Sequence, residues 1–288
     1  MRYPICLHHD DLDGYCSAAV VVKALGSTVR CEPVSYGIPL PELRNEKLVV
    51  IVDFNPPADW LRKIVDNNDD VLWIDHHQTS VDLCEKDCFF GDIPGVRSEF
   101  LQGSRSAACE LAWRWFFDDN SMYPEVPYAV KDASAFDTGR FSLLSTPHLF
   151  FHYSQRVMDI SAHSEDWVNL LTEEGTTHYD NAIMLGRKVR VRANAENKRY
   201  EKQLIPCRID DYSVSVLNSA DKGSVFFREI HTSTDINAVT RFDGKKWCTS
   251  LYSNENGVNV RVLCEARGGG GHDSAAGFVS EELPFIVV

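Results

Sequence analysis

The 288-residue sequence lacks any apolar run long enough to cross a membrane. A spanning helix needs roughly 18 or more consecutive apolar residues, and every apolar run here is interrupted well before that length. The N-terminal segment MRYPICLHHDD has a short apolar run followed at once by acids. A secretory signal needs a longer apolar core and a small-residue cleavage site. We therefore expect a cytoplasmic protein with no membrane partner.

Paired cysteine motifs are also missing. The nine cysteines are an odd number, and none of them forms a CxxC pair. The closest two, Cys84 and Cys88, have no second half of a zinc site. The pattern therefore predicts neither a disulfide framework nor a cysteine-based metal site, and we interpret most of the cysteines as small buried residues in a reducing compartment.

Basic residues are too few for a protein that follows long nucleic acids. The chain has 29 Lys and Arg against 42 Asp and Glu, a net charge of −13. Phosphate neutralisation by basic side chains supplies most non-specific affinity for nucleic acids. Two bound divalent cations would still leave the chain acidic. We expect no long nucleic acid partner, so that a phosphate-containing substrate would have to be small and recognised locally.

Strand-like and helix-like segments alternate in the first half of the chain. This alternation predicts an α/β fold, with a mainly parallel sheet flanked by helices in an N-terminal domain. From Ile205 onward the sequence is β-rich and predicts a smaller C-terminal α/β domain. The predicted domains are residues 1–185 and 204–288, joined by a helical linker over 186–203. The predicted strands of the first domain are Tyr3–Leu7, Thr28–Val34, Leu48–Val52 and Val71–Ile74.

Acids and histidines follow three of these strands directly, in the segments His8–Asp13, Asp53 and Asp75–His77. In open α/β sheets, ligands bind at the carboxyl ends of the strands. The first segment has the spacing HxDxDG, and alternate side chains of an extended segment point to the same side. An EF-hand calcium loop is excluded because its first and twelfth positions would be His9 and Val20. Mixed imidazole and carboxylate groups suit manganese, iron or zinc.

Other candidate motifs are weaker when each is taken alone. A single Asp53 after a strand is often a helix cap, and Asp137-Thr138-Gly139 is often a turn. The run Gly268–Gly271 followed by His272 could be a linker, but it lies inside the β-rich domain. Glycines let backbone amides approach a phosphate closely, and no Lys-Ser/Thr follows as in a Walker loop. We therefore favour a substrate-binding loop.

The order of the five motifs along the chain is the most specific signal. HxDxDG, a lone Asp53, DHH, DTG and GGGGH in this order resemble the DHH phosphoesterase family. The late motif resembles the subgroup with the DHH-associated domain of the first type, in its nanoRNase and cyclic-dinucleotide phosphodiesterase branch. Manganese pyrophosphatases lack GGGGH, and the editing region of alanyl-tRNA synthetase lacks the DHH half. The resemblance covers nearly the whole chain.

The resemblance implies a centre of two divalent cations, most commonly manganese, with magnesium, cobalt or iron as alternatives. It implies that Asp53 bridges the cations, that His77 contacts the scissile phosphate or assists the leaving group, and that Asp75 supports this centre. It also implies an active site in the cleft between the domains. The implied metal ligands are His9, Asp11, Asp13, Asp53, His76 and Asp137, and the implied substrate contacts from the second domain are Gly268, Gly269, Gly270, Gly271 and His272.

One position departs from the family pattern. Relatives commonly read Ser-Leu-Arg-Ser ahead of the glycine run, whereas this chain reads Ser250-Leu251-Tyr252-Ser253. Tyrosine can stack on a base, but it cannot make the charged bidentate contact of arginine to phosphate. We therefore take Tyr252 and Arg105 as candidate substrate contacts, and Arg261 and Arg267 as other arginines that could compensate.

The function implied is two-metal hydrolysis of short oligonucleotides or linear dinucleotides to mononucleotides. A cyclic-dinucleotide phosphodiesterase and a bisphosphate-nucleotide phosphatase are the enzymatic alternatives, and a nucleotide-sensing module without catalysis is the alternative from another class. The sequence does not separate these substrates, because all of them share the metal centre. It also leaves a monomer and a homodimer open.

Overall fold

The computed structural model describes residues 3–94, 106–117, 125–140, 147–172, 176–230, 232–254 and 257–288. The chain divides into two compact units, Met1–Arg190 and Val191–Val288. The finer division with a separate linker over 186–203 stays a prediction. No helix among the described residues combines the length and the apolar character needed to cross a membrane.

The first unit is built on a four-stranded parallel sheet with the strand order β2-β1-β3-β4. This confirms the predicted parallel α/β architecture, and each predicted strand is present with ends shifted by no more than two residues. The elements of this part are β1 (Ile5–His9), α1 (Leu12–Leu25), β2 (Arg30–Val34), β3 (Val49–Val52), α2 (Ala58–Asn67) and β4 (Val71–Ile74).

Both faces of this sheet are covered. Val50, Val52 and Ile74 face one apolar cluster together with α1 and later helices. Ile51 and Trp73 face a second cluster together with α2. Strands buried on both faces are apolar throughout, as parallel sheets require. The remaining described helices of this unit are α3 (Gln78–Lys86), α4 (Cys88–Gly91), α5 (Ala108–Phe117), α6 (Tyr128–Asp137), α7 (Pro147–Ser154) and α8 (Glu165–Leu170), and α9 (Thr176–Glu201) runs across the division between the units.

Helix α1 begins earlier than its composition suggests. The composition of Ala18–Leu25 predicts a helix that begins at Ala18, whereas the structure begins it at Leu12. Asp11 caps the helix, because its carboxylate accepts a hydrogen bond from the Gly14 N–H at 3.0 Å. The expectation of an extended His9–Asp13 segment is therefore wrong: β1 ends at His9, and Asp13 is already in the first turn of α1.

The second unit contains a mixed seven-stranded sheet with the order β11-β5-β6-β7-β8-β10-β9. Strands β6 and β7 are parallel, and the other neighbours are antiparallel. One face packs an apolar cluster that includes residues of α11, and the other packs a smaller cluster with α10. The elements are β5 (Ile205–Ile209), β6 (Tyr212–Asn218), α10 (Ser224–Glu229), β7 (Ile236–Phe242), β8 (Trp247–Ser253), α11 (Val260–Glu265), β9 (Gly270–His272), β10 (Ala275–Ser280) and β11 (Ile286–Val287).

Candidate metal centre

His76 lies at the centre of a cluster of carboxylates at the carboxyl edge of the first sheet. Its Nε2 is 3.3 Å from Asp137 Oδ2, 3.4 Å from Asp53 Oδ1 and 3.7 Å from Asp13 Oδ2. Asp53 follows β3, His76 follows β4, and Asp137 ends α6. Three carboxylates from separate segments of the chain therefore surround one ring nitrogen.

A second group lies around the end of β1. His9 Nδ1 is 2.7 Å from Asp11 Oδ2, and His9, Asp11 and Asp53 each offer a donor atom within 4.8 Å of the others. Burial lowers the pKa of His9, but the hydrogen bond and the charge of Asp11 reverse this effect and raise it. The structure thus gathers the six predicted ligands into two groups of three, His9, Asp11 and Asp53 in one and Asp13, His76 and Asp137 in the other.

The electrostatics of these groups fit bound cations. Burial raises the pKa of Asp53 well above its ordinary value, and the carboxylates of Asp13 and Asp11 raise it further. Burial is also the main reason that the pKa of Asp137 is raised to about 6. Gathering carboxylates away from water is unfavourable unless positive charge balances them. Mixed oxygen and imidazole donors suit manganese, iron or zinc, so these residues fit a pair of divalent cations.

Asp13 is held by the backbone of a distant helix. Its Oδ2 accepts a hydrogen bond from the Ala108 N–H at 2.8 Å, and its Oδ1 accepts one from the Cys109 N–H at 2.9 Å. Both amides belong to the first turn of α5, where N–H groups have no partner within the helix. The carboxylate is fully buried, and its orientation is fixed by this helix start.

Asp75 organises the two histidines of the DHH motif. One of its oxygens, Oδ1, lies 2.7 Å from His77 Nδ1 and accepts a hydrogen bond from the His76 N–H at 2.9 Å. The other accepts a hydrogen bond from the Ser80 hydroxyl. Burial lowers the pKa of His77, but the adjacent Asp75 charge outweighs it and raises that pKa to about 9. Asp75 therefore fixes the orientation of the His77 ring.

Gly14 is required by the close approach of α1 to β1. A Cβ atom at this position would lie 2.1 Å from the carbonyl oxygen of His9 and 2.8 Å from the His9 nitrogen. No side chain fits there, because real Cβ contacts essentially never come under 3.0 Å. The glycine of the HxDxDG motif thus allows His9 and the start of α1 to lie together.

Tyr36 also lies at this site, although the motifs do not indicate it. Its hydroxyl oxygen accepts a hydrogen bond from the Asn55 N–H at 3.2 Å. Its ring centre is 4.8 Å from that of Phe54 and 5.7 Å from that of His9. Tyr36 follows β2 at the same edge of the sheet, and this position is the signal by which it could have been found.

The glycine run in the second unit is only partly a loop. Gly270 and Gly271 belong to β9 and pair with β10, which corrects the expectation of a loop throughout. A Cβ atom at Gly269 would lie 2.0 Å from the Gly277 carbonyl oxygen, so close packing of the backbone requires that glycine. His272 ends β9. The substrate contacts expected of Gly268–His272 stay a prediction.

The other candidate substrate contacts are one tyrosine and three arginines, and the structure describes the contacts of all but one of them. Tyr252 is half-buried, with its ring 5.7 Å from that of Phe227. Arg267 makes two hydrogen bonds of 2.8 Å to Asp210, and Arg261 Nε donates to Asp273 at 2.9 Å. Both arginines are thus engaged within the second unit. Arg105 lies outside the described residues.

A known protein family matches the part of the chain that carries most of the clustered residues. Residues 4–135 match the model of the DHH family, N-terminal domain, a span that includes five of the six clustered residues. No curated protein matches the chain.

Three solved structures share the fold at low sequence identity. The pGpG-specific phosphodiesterase PggH from Vibrio cholerae is 13% identical with a TM-score of 0.50, over 97% of this chain and 94% of that one. An exopolyphosphatase-related protein from Bacteroides fragilis is 13% identical with a TM-score of 0.53, over 96% and 86%. RecJ in complex with Mn²⁺ from Thermus thermophilus is 14% identical with a TM-score of 0.51, and this chain spans only 49% of it.

Proposed function

We propose, given that the N-terminal unit of this chain belongs to the DHH family, that the protein is a metal-dependent phosphodiesterase acting on linear dinucleotides and short oligonucleotides. The observation that carries this proposal is the convergence of six side chains in two groups at the carboxyl edge of the first sheet. Such a donor set fits two-metal hydrolysis of a phosphoester.

Each group of three would hold one divalent cation. His9 and Asp11 would hold the first cation, and Asp13, His76 and Asp137 would hold the second. Asp53 has one oxygen 3.4 Å from His76 Nε2 and also belongs to the first group, so it would help to hold both cations. When bound, the cations, of which manganese is the first choice, activate a water molecule and neutralise charge on the phosphate.

His77 is the protein group that we assign to the phosphate itself. Asp75 Oδ1 lies 2.7 Å from its Nδ1 and orients the ring, and we assign its Nε2 to the phosphate. A histidine oriented in this way can bind a phosphate oxygen or give a proton to the leaving oxygen. Asp75 then acts through His77 and not on the substrate.

A small substrate is favoured by the charge of the chain and by one fold neighbour. The net charge of −13 opposes tracking of a long polyanion. The neighbour PggH is named for its action on pGpG, a linear dinucleotide. At 13% identity that likeness establishes only the fold, so the dinucleotide assignment is part of the proposal.

The test is a product analysis of the manganese-loaded protein. Linear dinucleotides, cyclic dinucleotides, four-nucleotide RNA, adenosine bisphosphate and bis-para-nitrophenyl phosphate are offered side by side. We expect the protein to hydrolyse bis-para-nitrophenyl phosphate and the linear dinucleotides. Hydrolysis of both should stop when a chelator removes the metal. Asp53→Ala and His76→Ala should lower turnover at least 100-fold, because each removes a donor from the centre.

Asp10→Ala is the matched control for these variants. Asp10 is an exposed neighbour of the motif whose carboxylate accepts a hydrogen bond from Tyr15 at 2.9 Å. This variant should keep its turnover within about twofold of wild type. Undiminished turnover in metal-loaded Asp53→Ala, or nucleotide binding without hydrolysis by the wild type, would contradict the proposal.

A further inference from the structure

Glu110 is a buried carboxylate of the first unit that is not one of the six clustered ligands. It lies in the first turn of α5. Its Oε2 accepts hydrogen bonds from the Ser134 hydroxyl at 2.7 Å and from Arg140 Nη2 at 2.9 Å. Its Oε1 accepts one from Arg114 at 2.8 Å. Ser134 belongs to α6 and Arg140 follows the end of that helix, so Glu110 links α5 to α6.

Ser134 and Arg140 complete this link. The Ser134 hydroxyl, which donates to Glu110, also accepts hydrogen bonds from the Ala107 N–H at 2.9 Å and from Arg140 at 2.5 Å. Arg140 Nε in turn donates to the Thr138 hydroxyl at 2.9 Å. Ser134 is fully buried. The start of α5 and the end of α6 are thus joined by a connected set of short hydrogen bonds.

Each end of the link supports one carboxylate of the candidate metal centre. The two backbone amides that hold Asp13 belong to the residues immediately before Glu110. Asp137 is the last residue of α6 and follows Ser134 by one helical turn. The carboxylates of Asp13 and Asp137 lie 3.7 and 3.3 Å from His76 Nε2. The distance between these two carboxylates therefore depends on how α5 and α6 are held together.

The charges of this region show why a firm connection is needed. Burial raises the pKa of Asp137, and the charge of Asp13 also raises it, because the two carboxylates repel each other. Burial raises the pKa of Glu110 as well, but the hydrogen bonds from Ser134 and Arg140 outweigh this effect and lower it. Glu110 is therefore ionised at neutral pH and holds the positive Arg140 side chain across the two helices.

We propose that Glu110 is a positioning residue, which sets the spacing of Asp13 and Asp137 for a cation by tying α5 to the end of α6. This inference rests on the proposed function for the presence of that cation. Glu110 acts through the two helices and touches neither metal nor substrate. Its contribution is to keep two repelling carboxylates in place before the metal binds, so that the metal does not have to order them.

The first test removes the charge of Glu110 and keeps its shape. Glu110→Gln has one acceptor oxygen where the carboxylate has two, so its NH₂ group must face a donor. Manganese binding to wild type and to the variant is measured by titration calorimetry. We expect one of two binding steps to weaken about 10–100-fold, as is typical when a residue that orients metal ligands is changed. The other step should stay within about threefold, because its ligands do not depend on α5 and α6.

Arg140→Met and Arg114→Met form a matched pair that separates this role from a structural one. Each variant removes one guanidinium group from the Glu110 carboxylate, and both side chains are partly exposed. Their Tm values should therefore be similar, because partly exposed ion pairs contribute little to stability. Only Arg140 reaches across to α6, since Arg114 lies on α5 itself. Arg140→Met should weaken the same manganese step about tenfold or more, and Arg114→Met should bind within about twofold of wild type.

Wild-type manganese binding in both Glu110→Gln and Arg140→Met would overturn the proposal. Equal losses of affinity in Arg140→Met and Arg114→Met would overturn it too, as would a lowered Tm with parallel losses in both binding steps.

The titrations measure no turnover, so they decide the role of Glu110 even if the protein proves not to hydrolyse dinucleotides. Wild-type protein that binds manganese without hydrolysis would contradict only the proposed function. Wild-type protein that binds no manganese would contradict both.

Discussion

Asp53 shows how the backbone at a single residue shapes the centre. It adopts a φ of +55°, a left-handed conformation that costs most residues about 1–2 kcal/mol and that aspartate tolerates better than most. Its N–H donates a hydrogen bond to the Ile74 carbonyl oxygen at 3.0 Å, which ties the end of β3 to the end of β4. The helix-cap interpretation fails, because α2 is preceded by Pro57 and lies beyond Asp53.

The role of Asp75 is tested by Asp75→Asn. The amide keeps the shape of the side chain but loses the charge and one of the two acceptor oxygens that bind His77, the His76 N–H and Ser80. We expect kcat to fall about 10–100-fold, as is typical when a partner that orients a site residue is changed, with manganese stoichiometry retained. Turnover of bis-para-nitrophenyl phosphate gives kcat, and calorimetry gives the manganese stoichiometry.

Asp66→Asn, at an exposed position of α2, is the control for the Asp75 variant and should leave kcat unchanged. An unchanged kcat in Asp75→Asn would show that His77 does not depend on Asp75. Loss of metal together with turnover would instead make Asp75 part of the metal-binding set.

At the scale of elements, the tight contact between β1 and α1 gives the next prediction. Gly14→Ala forces a Cβ atom against the His9 backbone, and such overpacking costs about 1–3 kcal/mol. At roughly 2–4 °C per kcal/mol for a domain of this size, the Tm should fall by about 2–12 °C. Thermal unfolding measures this change, and manganese affinity should fall with it because His9 is displaced. A variant with the Tm and metal affinity of wild type would contradict the close approach.

The elements also show what the sequence could and could not predict. The convergence of His9, Asp53 and His76 follows from their positions after buried strands, so it was available from periodicity. The two hydrogen bonds to the Asp13 carboxylate could not be predicted in this way, because their amide donors belong to α5, some 95 residues later in the chain. Spacing along the sequence carries no information about such a long-range contact. The early start of α1 was missed because Asp11 acts as a cap as well as a candidate ligand.

At the scale of the whole molecule, the two units have different proposed roles. The first unit carries every proposed metal ligand together with His77 and Arg105, and the second carries the other candidate substrate contacts. The metal centre is shared by enzymes with different substrates, so its motifs could not identify the substrate. Tyr252, at the position where relatives commonly have arginine, lies in the second unit. Substrate choice is therefore expected to depend on that unit.

Metal stoichiometry tests the central claim most directly. Wild-type protein is titrated with manganese in a calorimeter and its bound metal is counted by elemental analysis, alongside Asp53→Ala and the Asp10→Ala control. The account predicts two manganese ions per chain for wild type and for Asp10→Ala, and one or none for Asp53→Ala, because Asp53 belongs to the first group and approaches His76 of the second. Wild-type protein that binds no manganese, or Asp53→Ala that binds two ions as tightly as wild type, would contradict it.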